Sequence, residues 1–300
     1  MIPLTISVVT ANNKQLILDC LSSIYETTKG LEFEIYVVAN NSSDDSEEAI
    51  RENFPEVKLI INRKKLGFTY NHNMVMRRAE GKYILVLNDD TLILNGALRK
   101  MVDFMEASPD VGILGCKILN PDGSRQWSCG KMYSHKFEHL ATGILQPFMP
   151  FLQDKNLEST QEVCWVSGAC LLARTESALE VGPFDENIII YYEDVDWCYR
   201  MVQAGWKVVF YSDAEIIHYH GQTRKKNMAR DTFIIYQSRN YFLSKHYGRM
   251  AQLLVKILTI LEVSLRYLRT LTFSHLSADQ RHDLLKTYRR ILKLTVIPSA

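Results

Sequence analysis

Residues 81–91 read GKYILVLNDDT, and this stretch decides the fold. Tyr83–Leu87 is five apolar residues long with no polar interruption, the pattern of a strand covered on both faces. Asn88, Asp89 and Asp90 follow at once, so the strand ends on polar groups. Working outward, Ile6–Val9, Phe33–Val38 and Val57–Ile61 are further short runs rich in β-branched residues. Between them, segments near 14–28, 44–53 and 69–80 place apolar residues at helical spacing. This alternation predicts an α/β fold built from βαβ units around a mostly parallel sheet. Such sheets take ligands beyond the carboxyl ends of their strands. There the chain has Thr10-Ala11-Asn12-Asn13, Asn40-Asn41-Ser42-Ser43-Asp44-Asp45 and Asn88-Asp89-Asp90-Thr91. Each loop alone also fits turn and helix-cap chemistry. Three of them on one edge point to a site.

Farther along, a helix is expected near 96–107, a strand over 111–119 and a turn at Asn120-Pro121-Asp122-Gly123. Residues 130–162 show no periodicity and read as a long loop, a kind of segment that is usually functional or disordered. Cys164–Ala173 is strand-like around Ser167-Gly168-Ala169, Glu193–Ala204 suits a helix ended by Gly205, and 207–211 and 215–218 read as two more strands.

The formal charge of the 300 residues is +1, but it is unevenly placed. Residues 221–300 carry 15 Lys and Arg against 4 Asp and Glu, which leaves 20 against 30 in residues 1–220. An acidic body therefore precedes a basic tail. At 47% hydrophobic residues the chain is not disordered. The six cysteines contain no CxxC pair and are expected to be buried thiols in a reducing compartment. The N-terminal MIPLTISVVTANN lacks the basic start and apolar length of a signal peptide, and no window approaches a spanning helix, so a cytoplasmic protein is expected.

Three polar groups carry potential chemistry. Acids at Asn88-Asp89-Asp90 suit a hard cation held against a diphosphate, or a cap for the next helix. Glu193-Asp194-Val195-Asp196 opens a helix whose dipole favours acids there. Asp194 is also the best general base for deprotonating a sugar hydroxyl. His218 and His220 end a strand at i, i+2 spacing and so point to opposite faces, which leaves at most one as a ligand; His218 is favoured.

The order of these pieces is itself informative. SVVTANN, VVANNSSDDS, LGFTYNHN, GKYILVLNDDT, NPDGS, WVSGACLLAR, VGPFDENIIIYYEDVDWCYRMVQAGW and HYHGQT resemble, in sequence, the family-2 inverting glycosyltransferases. The likeness is greatest to the rhamnosyltransferase-like branch that builds bacterial surface polysaccharides, and it covers residues 5 to about 248. It implies a GT-A fold (a Rossmann-like mixed sheet that binds a nucleotide-diphospho-sugar), a divalent cation, Mn²⁺ or Mg²⁺, and a glycan or polyprenyl-linked acceptor. Residue by residue, it assigns Thr10, Asn12 and Asn40 to nucleotide-binding loops, and Gly67 and Asn73 to the segment closing over the nucleotide. Asn88 and Asp90 take the outer positions of the D-x-D-type motif. Asp90 and His218 become metal ligands, Asp194 the base, and Gly168 and Ala169 a loop beside the donor sugar. Asp89 and Glu193 are expected to support the same site. Departures are Ala39, where the family usually carries Asp, Lys65 for a common Asn, and Asp89 for a frequent Pro. Ala39 leaves the nucleotide base open. The rival reading is a non-catalytic nucleotide-sugar-binding or membrane-scaffold protein.

Residues 1–248 are thus expected to form the catalytic domain and 249–300 a basic amphipathic helical tail. In the tail, Gln252, Lys256, Thr259, Glu262, Arg266 and Arg269 form one polar stripe on an otherwise apolar helix. Residues 281–297 repeat the pattern. The tail either packs on the domain's own apolar surface or lies on an anionic membrane surface at the inner face of the cell membrane. No nucleic-acid-binding motif is present to use its charge.

Overall fold

The structure is a computed structural model, and residues 2–130, 158–219, 228–272 and 276–296 are described. They divide into two compact units: residues 2–130, 158–189 and 193–219 form one, and residues 190–192, 228–272 and 276–296 the other.

The first unit is built on one mixed sheet. Its parallel half comprises β1 (Leu4–Thr10), β2 (Phe33–Asn40), β3 (Lys58–Asn62) and β4 (Tyr83–Asn88), side by side in the order β3-β2-β1-β4. The order continues through β10 (Cys170–Arg174), β6 (Val111–Leu119), β11 (Lys207–His218) and β5 (Thr91–Ile93). The second half is mixed, as expected of a Rossmann-like mixed sheet: β11 runs parallel to β6, whereas β10 runs antiparallel to both β4 and β6, and β5 runs antiparallel to β11. The two strands expected at 207–211 and 215–218 are one strand, β11, with a register shift between Tyr211 and Glu215. β7 (Cys129–Gly130) and β9 (Trp165–Val166) form a separate two-stranded ladder, and β8 (Gln161–Glu162) pairs with β11. Most of the long loop expected at 130–162 lies outside the described residues.

Helices cover both faces of the sheet, which explains the unbroken apolar run in β4. Successive side chains of a strand point to opposite faces. Leu85 and Leu87 join Ile17, Leu21 and Ile24 of α1 (Lys14–Thr27) and Met101 of α4 (Ala97–Ala107) in one core cluster. Val86 points the other way, into a second cluster with Trp197 and Met201 of α6 (Glu193–Gln203). Two further helices, α2 (Ser46–Asn53) and α3 (Phe68–Met76), complete the βαβ crossovers, and the short α5 (Thr175–Val181) follows β10. β4 also needs a glycine at its entry: a Cβ on Gly81 would sit 2.5 Å from the Thr5 backbone nitrogen. All six cysteines are buried.

The second unit is helical: α7 (Met228–His246), α8 (Arg249–Thr272) and α9 (Ala278–Val296). Tyr236 of α7, Val263 of α8, and Leu284, Tyr288 and Ile291 of α9 share one small core. This core places α7 with the tail helices, so the compact division falls before the boundary expected after Gly248. The polar stripe of α8 is divided: Thr259 and Glu262 are buried and Lys256, Arg266 and Arg269 exposed, while Leu253, Leu254, Ile257, Leu261, Leu265, Leu268 and Leu271 are exposed.

Candidate active site

The carboxyl ends of β1, β2 and β4 are tied to one another by the polar residues that mark them. Asn12, at φ 58°, accepts hydrogen bonds at Oδ1 from the Ser43 backbone N–H (2.7 Å) and from its hydroxyl (3.1 Å). Asn13 Nδ2 donates to Asp89 Oδ2 at 3.0 Å. Asn40 holds Leu66 from both sides, accepting from its N–H at 2.8 Å and donating to its carbonyl at 3.0 Å.

Several residues expected to touch the nucleotide are therefore engaged by the protein itself. Asn73 is 1% exposed, and its amide brackets the Phe184 backbone while reaching Glu186 Oε1. It fastens α3 to the 184–186 turn and offers no polar atom outward. Asp89 is buried, and burial lifts its carboxyl to about 6 against the pull of Thr10 and Asn13. Thr10 is buried beside it. Ala39 is fully buried in β2, between Thr10 and Ile61 in register. Gly67 caps α3 under Ile189, whose carbonyl accepts from Phe68 N–H at 2.9 Å. His72 of the same motif is buried, hydrogen-bonded to Ser7 Oγ at 2.7 Å, and pushed down to about 3, so it stays neutral. Asn12, Asn88 and Asp90 keep surface at this edge.

A second group forms where β4 and β11 end and β5 begins. His218 lies opposite Thr91 in the β11–β5 pairing, and Tyr219 N–H donates to the Asp90 carbonyl at 2.9 Å. His218 Nε2 is 3.1 Å from Asp90 Oδ1 and 3.2 Å from Asn88 Nδ2. Its other nitrogen, Nδ1, is 2.9 Å from Gln126 Oε1, and Gln126 Nε2 donates to the His218 carbonyl at 2.6 Å. The Gln126 amide orientation follows from that carbonyl bond, so Nδ1 carries a proton and Nε2 is the nitrogen turned toward Asp90 and Asn88. An imidazole nitrogen beside a carboxylate is a donor set that Mn²⁺ accepts. Gln126 fixes the ring through both bonds, and would give His218 the support usual for a ligating histidine. Nothing in its sequence surroundings signals it. Among the described residues, no group of three or more His, Cys, Asp or Glu is gathered for a metal. Two side chains would leave most of a cation's coordination to ligand oxygens. His220 lies outside the described residues.

Asp194 sits in the first turn of α6. Its Oδ2 accepts from Gly168 N–H at 3.0 Å and its Oδ1 from Val195 N–H at 2.8 Å. Each oxygen keeps a lone pair for a further proton donor. Burial raises the Asp194 carboxyl above its ordinary range. Glu193, wholly enclosed beside it, is raised well above, first by burial and then by the Asp194 charge. The two backbone N–H donors make Asp194 the better placed of the pair to carry charge. Asp196 acts elsewhere. With Arg200, 2.9 Å away, it braces the 181–183 turn through Arg200's bonds to Val181, Gly182 and Pro183 carbonyls. Trp197 anchors the helix, donating to the Gly182 carbonyl at 2.9 Å and packing on Phe184.

Asp194 and the Asp90–His218 corner are joined through a short backbone path. Asn88 N–H donates to the Ala169 carbonyl at 3.1 Å, and the neighbouring Gly168 N–H holds Asp194. Asp90, His218, Asn88, Gly168, Ala169, Glu193 and Asp194 thus form one connected group, while Asn40, Asn73 and Asp89 brace the loops around it.

Comparison with known proteins agrees with this architecture. A family model described as Glycosyltransferase like family 2 matches residues 3–233. An N-acetylglucosaminyl-diphospho-decaprenol L-rhamnosyltransferase of Mycobacterium tuberculosis is 29% identical over 237 residues, covering 71% of this chain and 76% of the relative. Rhamnosyltransferase WbbL of Escherichia coli (strain K12) is 23% identical over 160 residues, 51% of this chain and 61% of that protein. Among solved structures, the mannosyltransferase PcManGT of Pyrobaculum calidifontis, in complex with GDP-Man and Mn²⁺, shares the fold. Its TM-score is 0.60 at 16% identity, over 98% of this chain and 84% of that one. With the family model spanning the sheet, the Asp90–His218 corner and Asp194, the chain belongs to glycosyltransferase-like family 2.

Proposed function

We propose that the chain transfers a sugar, with inversion, from a nucleoside-diphosphate donor, dTDP-rhamnose in the first instance, to a hydroxyl of a polyprenyl-linked glycan in cell-surface polysaccharide synthesis. The observation that carries this reading is the connected group in which a partly buried carboxylate, Asp194, and an Asp90–His218 pair are held by one backbone path. Asp194 takes the acceptor's hydroxyl proton as the acceptor oxygen bonds to the anomeric carbon. The bond from that carbon to the diphosphate breaks, and the nucleoside diphosphate leaves. One displacement with no covalent intermediate inverts the configuration. Asp90 and His218 would hold a divalent cation, which would supply charge to offset the departing diphosphate. The rhamnosyltransferase names of the relatives support the choice of sugar and of a lipid-linked acceptor. Such an acceptor is met at the cytoplasmic face of the membrane.

A thermal-shift screen tests the reading. A nucleotide sugar at about 100 times its Kd stabilises the fold by about 2.7 kcal/mol. The shift is expected for one donor in the presence of Mn²⁺, and Asp90→Asn is expected to remove its Mn²⁺-dependent part. Equal shifts for native chain and variant would refute the assignment of Asp90.

A further inference from the structure

We infer that α8 is a membrane-docking helix that lies in the headgroup layer of an anionic bilayer through its outward aliphatic face. The proposal concerns the helical unit alone and stands whether or not Asp194 is the base.

The polarity of α8 is inverted. Its inward side carries Val255, Thr259, Glu262, Val263 and Thr270, all buried. Glu262 takes Arg239 Nη1 and Arg266 Nε at 3.0 Å each, and Thr259 accepts from Arg239 Nη2 at 2.8 Å. The outward side carries Leu253, Leu254, Ile257, Leu261, Leu265, Leu268 and Leu271, each 39–56% exposed. At 3.6 residues per turn these seven side chains fill roughly 120° of arc along about 27 Å of helix. Only Ser264 and the terminal Thr272 interrupt the sector. An apolar strip of that size is rare on a monomer and marks an interaction surface.

Charge selects the occupant. Lys256 and Arg269 flank the strip and are exposed, and the single acid of α8, Glu262, faces inward. Across residues 228–296 there are 12 Lys and Arg against 4 Asp and Glu. Asp231 and Glu262, two of those four acids, are buried. A second copy docked on this strip would bring cations against cations, whereas an anionic lipid surface supplies the opposite charge. A broad apolar face bordered by Lys and Arg is the pattern of a helix lying in the interface plane. No described helix is long and apolar enough to cross a membrane, so α8 lies on the bilayer rather than spanning it.

The test uses the full chain and sedimentation with sucrose-loaded vesicles. On vesicles containing about one third phosphatidylglycerol, the native chain is expected to bind at least about tenfold more tightly than on neutral phosphatidylcholine vesicles. Leu261→Glu with Leu268→Glu is expected to reduce that binding at least tenfold while leaving the helical circular dichroism unchanged. Independently, Leu265→Trp is expected to be quenched by brominated lipid. Equal binding to both vesicle types, no binding, or an unquenched Trp overturns the proposal. So does a native dimer that the double substitution dissociates, which would make the strip a contact between copies.

Discussion

Replacing Asp194 by Asn is expected to slow sugar transfer by about 10²–10⁴-fold, the range removed with a positioned general base. The amide matches the carboxylate in shape and keeps the Gly168 N–H bond through its oxygen, so the loop geometry is retained. It has no basic lone pair for the acceptor proton. Donor affinity should stay within a few fold, because the Asp90–His218 corner is untouched. The pH profile carries a second signature. Burial raises Asp194, so the acidic limb of kcat/KM lies above the ordinary carboxylate range, with activity rising as pH rises through it. Burial is the first cause of the raised Asp194 carboxyl, so Glu193→Gln should leave that limb above the ordinary carboxylate range. The sign for stability is opposite to the usual acid case. A carboxyl raised on folding stabilises below its unfolded pKa, and that contribution is lost as pH rises through the folded value. Glu193→Gln should therefore be more stable than the native chain at alkaline pH. An unshifted acidic limb in the native enzyme, or near-native turnover by Asp194→Asn, would remove Asp194 from the role.

The second large effect is expected in the helical unit. Arg239 and Glu262 are each 4% exposed in their side chains and 3.0 Å apart. Arg239 also lies over the Tyr236 ring at 4.5 Å. Breaking a buried pair leaves an uncompensated charge, which costs about 3–5 kcal/mol. Glu262→Leu strands Arg239, and denaturant unfolding of the full chain, followed by hydrogen exchange across 228–296, should report a loss of that size. Replacing both partners by apolar residues of matched volume should recover most of it, since well-packed substitutes for a buried pair are often neutral. A loss below about 1 kcal/mol for Glu262→Leu would mean that water reaches the pair.

The parallel half of the sheet was legible because β1, β2 and β4 are covered on both faces, and an unbroken apolar run with a polar end has few other readings. The antiparallel β10 was not, because Cys170–Arg174 carries the same apolar composition whichever way it runs. At the site, residue type was legible and direction was not. Asn40, Asn73 and Asp89 look like ligand-binding groups, yet an amide or carboxylate that can hold a diphosphate oxygen or its cation can equally hold a neighbouring loop. Asp194 and Asp196 illustrate the same point, two residues apart on one helix turn with different partners. Helical periodicity located the stripe on α8 but left its direction open, since the Glu262 partner Arg239 lies on another helix and meets it only through the fold. Gln126 could not be found from sequence at all, because its relation to His218 exists only through the fold.

Product analysis after turnover with a nucleotide-sugar donor and a polyprenyl-linked acceptor distinguishes inverting transfer from its alternatives. Nuclear magnetic resonance of the product and assay of the released nucleotide should show a glycosidic bond of inverted anomeric configuration and one nucleoside diphosphate per sugar transferred. A retained configuration would contradict the single displacement at Asp194, and release of pyrophosphate or a nucleoside monophosphate in place of the diphosphate would contradict glycosyl transfer itself.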